Sequence, residues 1–443
     1  MARFAKVVVL AGVAVSLACS SARAADLQVQ WMPGFRAPGT PVPYDKVGVI
    51  KVGAQRARNV LVLEPGTSAG AAYFVPLAEW IVSRMPGWQV WAVERRENLL
   101  EDQSVLEQAK QGQATAAQVF DYYLGWLIPG TVSGPHLQLI PSSQVRFAKA
   151  WGMQVAVEDL HAVISAARRL GGRVVLGGHS LGGAVVTAYA TWDFDGHAGA
   201  DDLAGLVYID GGTLPPVGAG AARAELRGLD SSGSSPWLTF GGIPAPFAGL
   251  FSATGSLAAL IDPDSASVGQ SSGLLSAFHL TPAVPVTNLA QFGYALNVGT
   301  SPAALLAAQA HLGRGVSPIG PLHGWDGAGA LTPITRFARM FAGFGVDDAV
   351  GSGIANPAQP VLGVRATMGR QLPRRLLIYA FGARLGGAGV LLDARALAAQ
   401  SGIPAGNLLL IDRASTYAHN DPAGAYPRNV FFAGLARFLH RVG

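Results

Sequence analysis

Short apolar runs alternate along this chain with longer segments in which apolar residues recur at helical spacing. Runs of strand length and β-branched character occupy residues 59–64, 88–94, 173–178, 205–210, 375–381 and 407–412. Helical spacing follows at 71–85, 157–170, 180–192 and at the end of the chain, where Phe431, Leu435, Phe438 and Val442 share one face. Continuous apolar strands that alternate with helices are typical of a parallel sheet covered on both faces, so the pattern predicts an α/β fold.

One long segment, residues 214–372, interrupts this alternation. It is rich in Gly, Pro, Ser and Ala, and residues 265–313 contain no Asp, Glu, Lys or Arg. A compact helical insertion is one interpretation. We favour the other, a mainly helical cap with an apolar inner face over a lipophilic site, because large uncharged surfaces are rare unless something covers or uses them. The predicted organisation is a core in two parts, 25–213 and 373–443, with a cap or lid insertion at 214–372.

The first 24 residues have the pattern of a secretory signal peptide. Arg3 and Lys6 precede an apolar stretch at 7–18, and the small residues Ala22 and Ala24 flank Arg23 before the expected cleavage point. The stretch is too short to span a bilayer. Cleavage at Cys19, as in a lipoprotein, is the less favoured alternative. We therefore expect a secreted or periplasmic protein cleaved near Ala24.

The amino-acid composition excludes several classes of chemistry and of partner. The chain has 443 residues, of which 50% are hydrophobic and 13% charged, so it can bury a large core. Cys19 is the only cysteine and would leave with the signal peptide, which excludes disulfides, a cysteine nucleophile and cysteine-ligated metal from the mature protein. The formal charge of +5 includes Arg3, Lys6 and Arg23, so 5 − 3 leaves +2. We expect no nucleic-acid partner.

The pattern G-x-S-x-G occurs three times, and its context favours Ser180. In Gly178-His179-Ser180-Leu181-Gly182 a strand leads in and an apolar helix follows. A tight strand-to-helix turn would hold the serine exposed at the edge of the sheet, with the helix N-terminus facing a developing oxyanion.

The other two matches have poorer context. Ser271 has no preceding strand. Ser68, in Gly66-Thr67-Ser68-Ala69-Gly70, follows a strand but lies early in the chain, where a glycine-containing loop can instead donate an oxyanion-hole amide.

These segments resemble the α/β-hydrolase esterases and lipases. VVLGGHSLGGAVV is similar to their nucleophile elbow, VLVLEPGTSAGAAYF to their oxyanion loop with PG where many members have HG, and YAHNDPAGAYPRNVFFAGLARFL to their histidine loop and final helix. The resemblance covers most of the chain outside the insertion. It implies a mostly parallel α/β-hydrolase sheet, hydrolysis of an ester or related acyl bond, and the amides of Leu181 and Thr67 as oxyanion donors.

His419 is the predicted base, because it follows the last strand by a short loop and precedes the last helix. His179 adjoins the nucleophile but is one residue out of register for that role. The acid is open between Asp210, which ends a strand before Gly211, and Asp393, which lies beyond a Gly-rich loop. We favour Asp210; Asp412 and Asp421 are weaker candidates.

Three functions are consistent with these residues. The first is a serine hydrolase that cleaves a lipophilic carboxylic ester, with possible transient contact between the cap and a lipid surface. The second is an amidase or peptidase that uses the same triad. The third is a noncatalytic binding protein on a hydrolase scaffold.

No histidine pair has helical metal-ligand spacing, so neither zinc nor another cofactor is expected. The charged residues 94–98 are interpreted as a surface salt-bridge cluster, with a pocket-lining role as the alternative.

Overall fold

The computed structural model describes residues 27–443 apart from 68, 131–133, 139, 213–216, 235, 237–238, 241–242, 245–249, 278, 301–312, 315–316, 319–355 and 426–427. The predicted signal peptide and the serine at position 68 therefore lie outside the described residues. Much of the predicted cap lies there as well. The domain boundaries stay a prediction.

Eight strands form one sheet in the order β1-β2-β4-β3-β5-β6-β7-β8. The strands are β1 (Leu27–Pro33), β2 (Lys46–Val52), β3 (Asn59–Glu64), β4 (Trp88–Glu94), β5 (Val174–His179), β6 (Gly205–Ile209), β7 (Leu377–Gly382) and β8 (Leu408–Asp412). Strand β2 is antiparallel to both of its neighbours, β1 and β4. All pairs from β4 to β8 are parallel, so their carboxyl ends meet at one edge. The predicted α/β fold class is confirmed.

The described α-helices are α1 (Val75–Arg84), α2 (Ser104–Lys110), α3 (Ala116–Tyr123), α4 (Met153–Arg168), α5 (Leu181–Thr191), α6 (Ala219–Asp230), α7 (Leu250–Ile261), α8 (Val268–Ser271), α9 (Leu274–Ala277), α10 (Asn288–Leu296), α11 (Gln359–Leu362), α12 (Gly387–Gln400), α13 (Asp421–Gly424) and α14 (Val430–Val442). None of the helices in the described ranges is long and apolar enough to span a membrane.

Alternate residues of the parallel strands enter two separate cores. Val60 and Val62 of β3 face the core that includes α4, α5 and α12, whereas Leu61 and Leu63 face the core that includes α1 and α14. Burial on both faces explains why these strands are continuously apolar. The sheet is thereby fixed between two helical layers, and its carboxyl edge is held rigidly.

The predicted helix at 71–85 divides into two pieces. Residues Ala71–Phe74 form a 3₁₀ turn, and the α-helix begins only at Val75. Pro76 explains the division, because proline lacks an N–H and is tolerated only in the first turn of an α-helix.

Part of the insertion packs against helices that precede the nucleophile in sequence. Phe120 and Tyr123 of α3 form a small apolar cluster with Leu250, Ala253 and Leu257 of α7. The residues after the masked stretch, Leu362 and Met368 among them, instead join the core around α4 and α5. The described part of the insertion therefore contacts two different layers of the molecule.

Candidate active site

Ser180 occupies a strained turn between β5 and α5. Its backbone angles are φ 55° and ψ −122°, and its side chain is half-buried at the carboxyl edge of the sheet. A non-glycine residue in this region costs about 1–3 kcal/mol and persists only where the surroundings impose it. The strain is a feature expected of a nucleophile held on a sharp strand-to-helix turn.

Two glycines make that turn sterically feasible. A Cβ atom on Gly178 would collide with the carbonyl group of Gly182, and a Cβ atom on Gly182 would collide with the carbonyl oxygen of Glu64. A larger residue at position 178 would force the start of α5 away from β5, and one at position 182 would force the turn away from β3. The spacing of the G-x-S-x-G pattern thus has a steric cause in this chain.

His419 lies buried in the loop between β8 and α13, next to Asp210. Its Nδ1 atom is 2.6 Å from Asp210 Oδ2. Because a carboxylate only accepts hydrogen bonds, the proton of the neutral imidazole sits on Nδ1, and Nε2 is left as an acceptor. This tautomer is the one that a general base for a serine hydroxyl requires.

Asp210 follows β6 at φ 47°, and backbone amides hold its carboxylate. Its Oδ1 atom accepts from the amides of Ala383, Gly386 and Gly387 at 2.6, 3.0 and 3.2 Å, and Oδ2 accepts from Leu385 at 3.2 Å. These amides belong to the loop after β7 and to the first residue of α12. Here that loop supplies hydrogen-bond donors to an acid that comes from the neighbouring strand.

The other three acids occupy different environments. Asp393 is half-buried within α12, and Asp412 is exposed and accepts from the amide of Ala414 at 2.9 Å. Asp421 is buried and accepts from the amide of Ala418 at 2.7 Å. Among the described contacts, Asp210 is the carboxylate that reaches His419.

His179 connects the nucleophile turn to the histidine loop, a contact that the sequence did not indicate. Its Nε2 atom donates to the backbone carbonyl of His419 at 3.0 Å, and its ring lies 4.4 Å from the His419 ring. The ring of Tyr73 stacks on it at 4.8 Å. Burial, followed by the proximity of His419, holds the pKa of His179 well below its usual range, so the ring is neutral.

The opposite wall of the site is the loop that contains Thr67. Gly66 packs directly on the nucleophile, because a Cβ atom placed on it would lie 2.9 Å from Ser180 Cβ. Thr67 follows in the turn, and Leu181 is the first residue of α5. The two predicted oxyanion donors thus flank Ser180 from β3 and from α5. Ser271, by contrast, ends the four-residue helix α8, and its hydroxyl donates to the carbonyl of Val268.

The interpretation of residues 94–98 as a surface salt-bridge cluster is wrong. All five are buried, and Arg95 and Arg96 are only 5% and 2% exposed. Burial raises the pKa of Glu64 to about 7, and Arg95 opposes this shift only in part because it is shared with Glu97. The sequence did contain a signal for this burial. The run of charges follows a buried strand directly, so it lies at the carboxyl edge of the sheet, where loops converge.

In the part of the chain that the structure describes, no group of three or more His, Cys, Asp or Glu residues is arranged to hold a metal ion. At this edge of the sheet the hydroxyl of Ser180 is accompanied by the imidazole of His419, which is bonded to the carboxylate of Asp210. Such a set can transfer a proton away from a serine as that serine attacks an acyl carbon.

No family model and no curated protein sequence matches the chain. Among solved structures, it is similar to a predicted lipase from Sulfolobus solfataricus, with 14% identity, 94% of this chain and 95% of that chain covered, and a TM-score of 0.48. It is also similar to a highly thermostable carboxyl esterase from Bacillus coagulans, with 10% identity, 94% and 98% covered, and a TM-score of 0.42. A soluble variant of monoglyceride lipase from Saccharomyces cerevisiae matches with 10% identity, 94% and 95% covered, and a TM-score of 0.39.

The substrate has to be argued from the residues of this chain, because identities this low concern only the fold. The order and direction of the strands define the fold independently of these similarities. Eight strands are ordered 1-2-4-3-5-6-7-8 with only the second strand antiparallel to its neighbours, and a strained serine turn lies between strand five and the following helix. This strand order and these strand directions are those of an α/β-hydrolase sheet.

Proposed function

We propose that this protein is a serine hydrolase that cleaves a carboxylic ester through an acyl-enzyme. Ser180 is the nucleophile, His419 the general base and Asp210 the acid that orients it. The observation that carries the proposal is the 2.6 Å hydrogen bond between His419 Nδ1 and Asp210 Oδ2, at the same sheet edge as the strained turn of Ser180.

The proposed reaction begins as Ser180 Oγ attacks the ester carbonyl while Nε2 of His419 takes the hydroxyl proton. The amides of Leu181 and Thr67 donate to the oxyanion of the tetrahedral intermediate. His419 then gives the proton to the leaving alcohol oxygen, and the ester C–O bond breaks. Water, deprotonated by the same nitrogen, attacks the acyl-enzyme, which releases the carboxylic acid and restores Ser180.

A lipophilic acyl group is part of the proposal. Its support is the stretch 265–313, which contains no Asp, Glu, Lys or Arg. The described helices α7 and α10 within the insertion pack through apolar residues, Leu257 and Phe292 among them. We infer that the preferred acyl chain is apolar.

The test compares the wild type with Ser180→Ala. A fluorophosphonate probe should label the wild type and leave the variant unlabelled, and hydrolysis of p-nitrophenyl esters should fall at least about 10³-fold in the variant. A series from acetate to laurate gives the chain-length preference, and matched p-nitroanilides separate an ester hydrolase from an amidase. Persistent labelling in Ser180→Ala would refute the assignment of the nucleophile, and no labelling of either protein would favour a noncatalytic binding protein.

Export is proposed separately. Its support is the pattern of residues 1–24 in the sequence. N-terminal sequencing of the protein recovered from the periplasm or medium should give a chain that begins at Ala25. Retention of Met1 in a cytoplasmic fraction would contradict export.

A further inference from the structure

The Arg95 side chain lies behind the loop that faces the nucleophile and uses every donor it has. Its Nη1 atom donates to the carbonyl of Pro65 at 2.9 Å and to Glu64 Oε1 at 3.1 Å. Nη2 donates to the carbonyl of Gly66 at 2.9 Å and more weakly to that of Ala69 at 3.4 Å. Nε donates to Glu97 Oε1 at 2.8 Å. The five N–H donors of a guanidinium thus have five acceptors.

Three of these acceptors are main-chain carbonyls of a single short loop, residues 65–69. That loop begins where β3 ends, opposite Gly178 in the β3–β5 register, and its Gly66 contacts Ser180. Backbone carbonyls in a loop normally find partners in water or in neighbouring strands. Here one buried side chain, that of Arg95, holds three of them.

The orientation of the Thr67 amide follows from this contact. A peptide unit is planar and trans, so the C=O of Gly66 and the N–H of Thr67 point in opposite directions. Arg95 fixes the carbonyl of Gly66 on its own side of the loop. The N–H of Thr67 is thereby directed away from Arg95.

We propose that Arg95 is a positioning residue for the oxyanion hole: by holding the carbonyls of residues 65, 66 and 69 it aims the Thr67 amide at the developing oxyanion. This inference rests on the proposed hydrolase function. Arg95 does not touch the substrate, and its effect passes through the peptide between Gly66 and Thr67. The flanking carboxylates Glu64 and Glu97, both buried, keep the guanidinium in place.

The adjacent residue, Arg96, offers a matched control. It is also buried and ion-paired to two carboxylates, Asp45 and Asp159, and it donates to one main-chain carbonyl, that of Phe35. Its described hydrogen bonds lead to the loop after β1 and to α4, and none of them reaches residues 65–69. Loss of a buried arginine as such should therefore affect both positions alike, whereas loss of oxyanion positioning should appear only at Arg95.

The experiment compares Arg95→Lys with Arg96→Lys. Lysine keeps the charge but has three donors on a single nitrogen in place of five on a planar fork, so it cannot reproduce the five contacts that Arg95 makes from three nitrogens. For p-nitrophenyl butyrate, kcat of Arg95→Lys should fall about 10- to 100-fold with KM changed less than about 3-fold, as a partial loss of one oxyanion donor implies. Affinity for an aryl trifluoromethyl ketone, which forms an oxyanion adduct with the serine, should fall by a similar factor.

Arg96→Lys should lower the thermal midpoint and leave kcat and trifluoromethyl ketone affinity within about 3-fold of the wild type. Equal losses in the two variants, or unchanged ketone affinity in Arg95→Lys, would overturn the inference. Should Arg95→Lys fail to fold, Thr67→Pro deletes the aimed N–H directly, and wild-type kcat in that variant overturns the inference as well. A wild type inert to both ester and fluorophosphonate instead refutes the proposed function, so the two failures are distinguishable.

Discussion

The two sides of the candidate site are held by different kinds of group. On the acid–base side, four main-chain amides from the loop after β7 hold the carboxylate of Asp210. On the oxyanion side, one side chain, Arg95, holds three main-chain carbonyls. Amides survive almost any substitution in the residues that carry them, whereas the guanidinium has no equivalent. Of the donor residues, the exposed Leu385 should therefore tolerate change, whereas position 95 should not.

The largest loss of kcat is expected on the acid–base side, at the proposed acid Asp210. Asp210→Asn should lower kcat by about 10³- to 10⁴-fold, because a neutral amide no longer fixes the Nδ1–H tautomer of His419 and places its own NH₂ group among N–H donors. Steady-state hydrolysis of p-nitrophenyl butyrate measures the loss. Asp393→Asn is the control and should stay within about 3-fold of the wild type; a larger loss there than in Asp210→Asn would reverse the assignment of the acid.

A smaller effect is expected at His179, which lies against both sides. Its Nε2 hydrogen bond holds the backbone of His419, and its Nδ1 atom lies 3.1 Å from a Cβ atom placed on Gly66. His179→Phe keeps the stack on Tyr73 and removes the hydrogen bond. Since such a bond contributes about 1 kcal/mol, kcat should fall about 5-fold.

His161→Phe is the matched control for that variant, since His161 also stacks on an aromatic ring, that of Phe194, and bonds to Tyr189. Its kcat should match the wild type in the same ester assay. A comparable loss in both variants would mean that removing a packed imidazole affects the enzyme only through general stability.

The smallest effect expected is the contribution of Glu64, beside Arg95, to pH-dependent stability. Burial raises the pKa of Glu64 to about 7 from an ordinary 4.5. Between these values the folded chain keeps the proton that the unfolded chain has lost, so the free energy of unfolding falls as pH rises towards 7, by at most about 1.4 kcal/mol per pH unit. Glu64→Gln should flatten this slope.

Urea unfolding of the wild type and Glu64→Gln at pH 5, 6 and 7 measures that change. Glu79→Gln provides a control on the neighbouring helix α1, where Glu79 is half-buried, and should leave the slope as it is in the wild type. If the free energy of unfolding changes with pH by the same amount in all three proteins, Glu64 is not the group that keeps a proton in the folded chain.

The parallel strands and the confirmed fold class could be predicted from sequence because residues buried on both faces leave a continuous apolar run. Strands β1 and β2 were not predicted. The outer strand β1 (LQVQWMP) is largely exposed, and its alternation of polar and apolar residues is a weak signal. An edge strand buries too little apolar surface to show a clear pattern.

Within the candidate site, too, some features are visible in the sequence and others are not. The strained turn is encoded locally, because Gly178 and Gly182 leave a trace in the sequence. The support of Asp210 leaves none, because its donors are backbone amides that any residue carries. The assignment of Asp210 as the acid stays a prediction until the variants are measured. Arg95 was misread because a run of charges is normally solvated, and only the folded chain brings the carbonyls of residues 65–69 back to it.

The backbone of Ser180 has a consequence for anyone who stabilises this protein by selection. At φ 55° a glycine would relieve about 1–3 kcal/mol of strain that serine and alanine both retain. A screen that rewards thermal resistance alone would therefore drift towards glycine at position 180, and under the proposed mechanism the proteins that it collects are inert although they appear improved. Position 180 has to be held fixed in such a library, and a hydrolysis assay has to accompany each round.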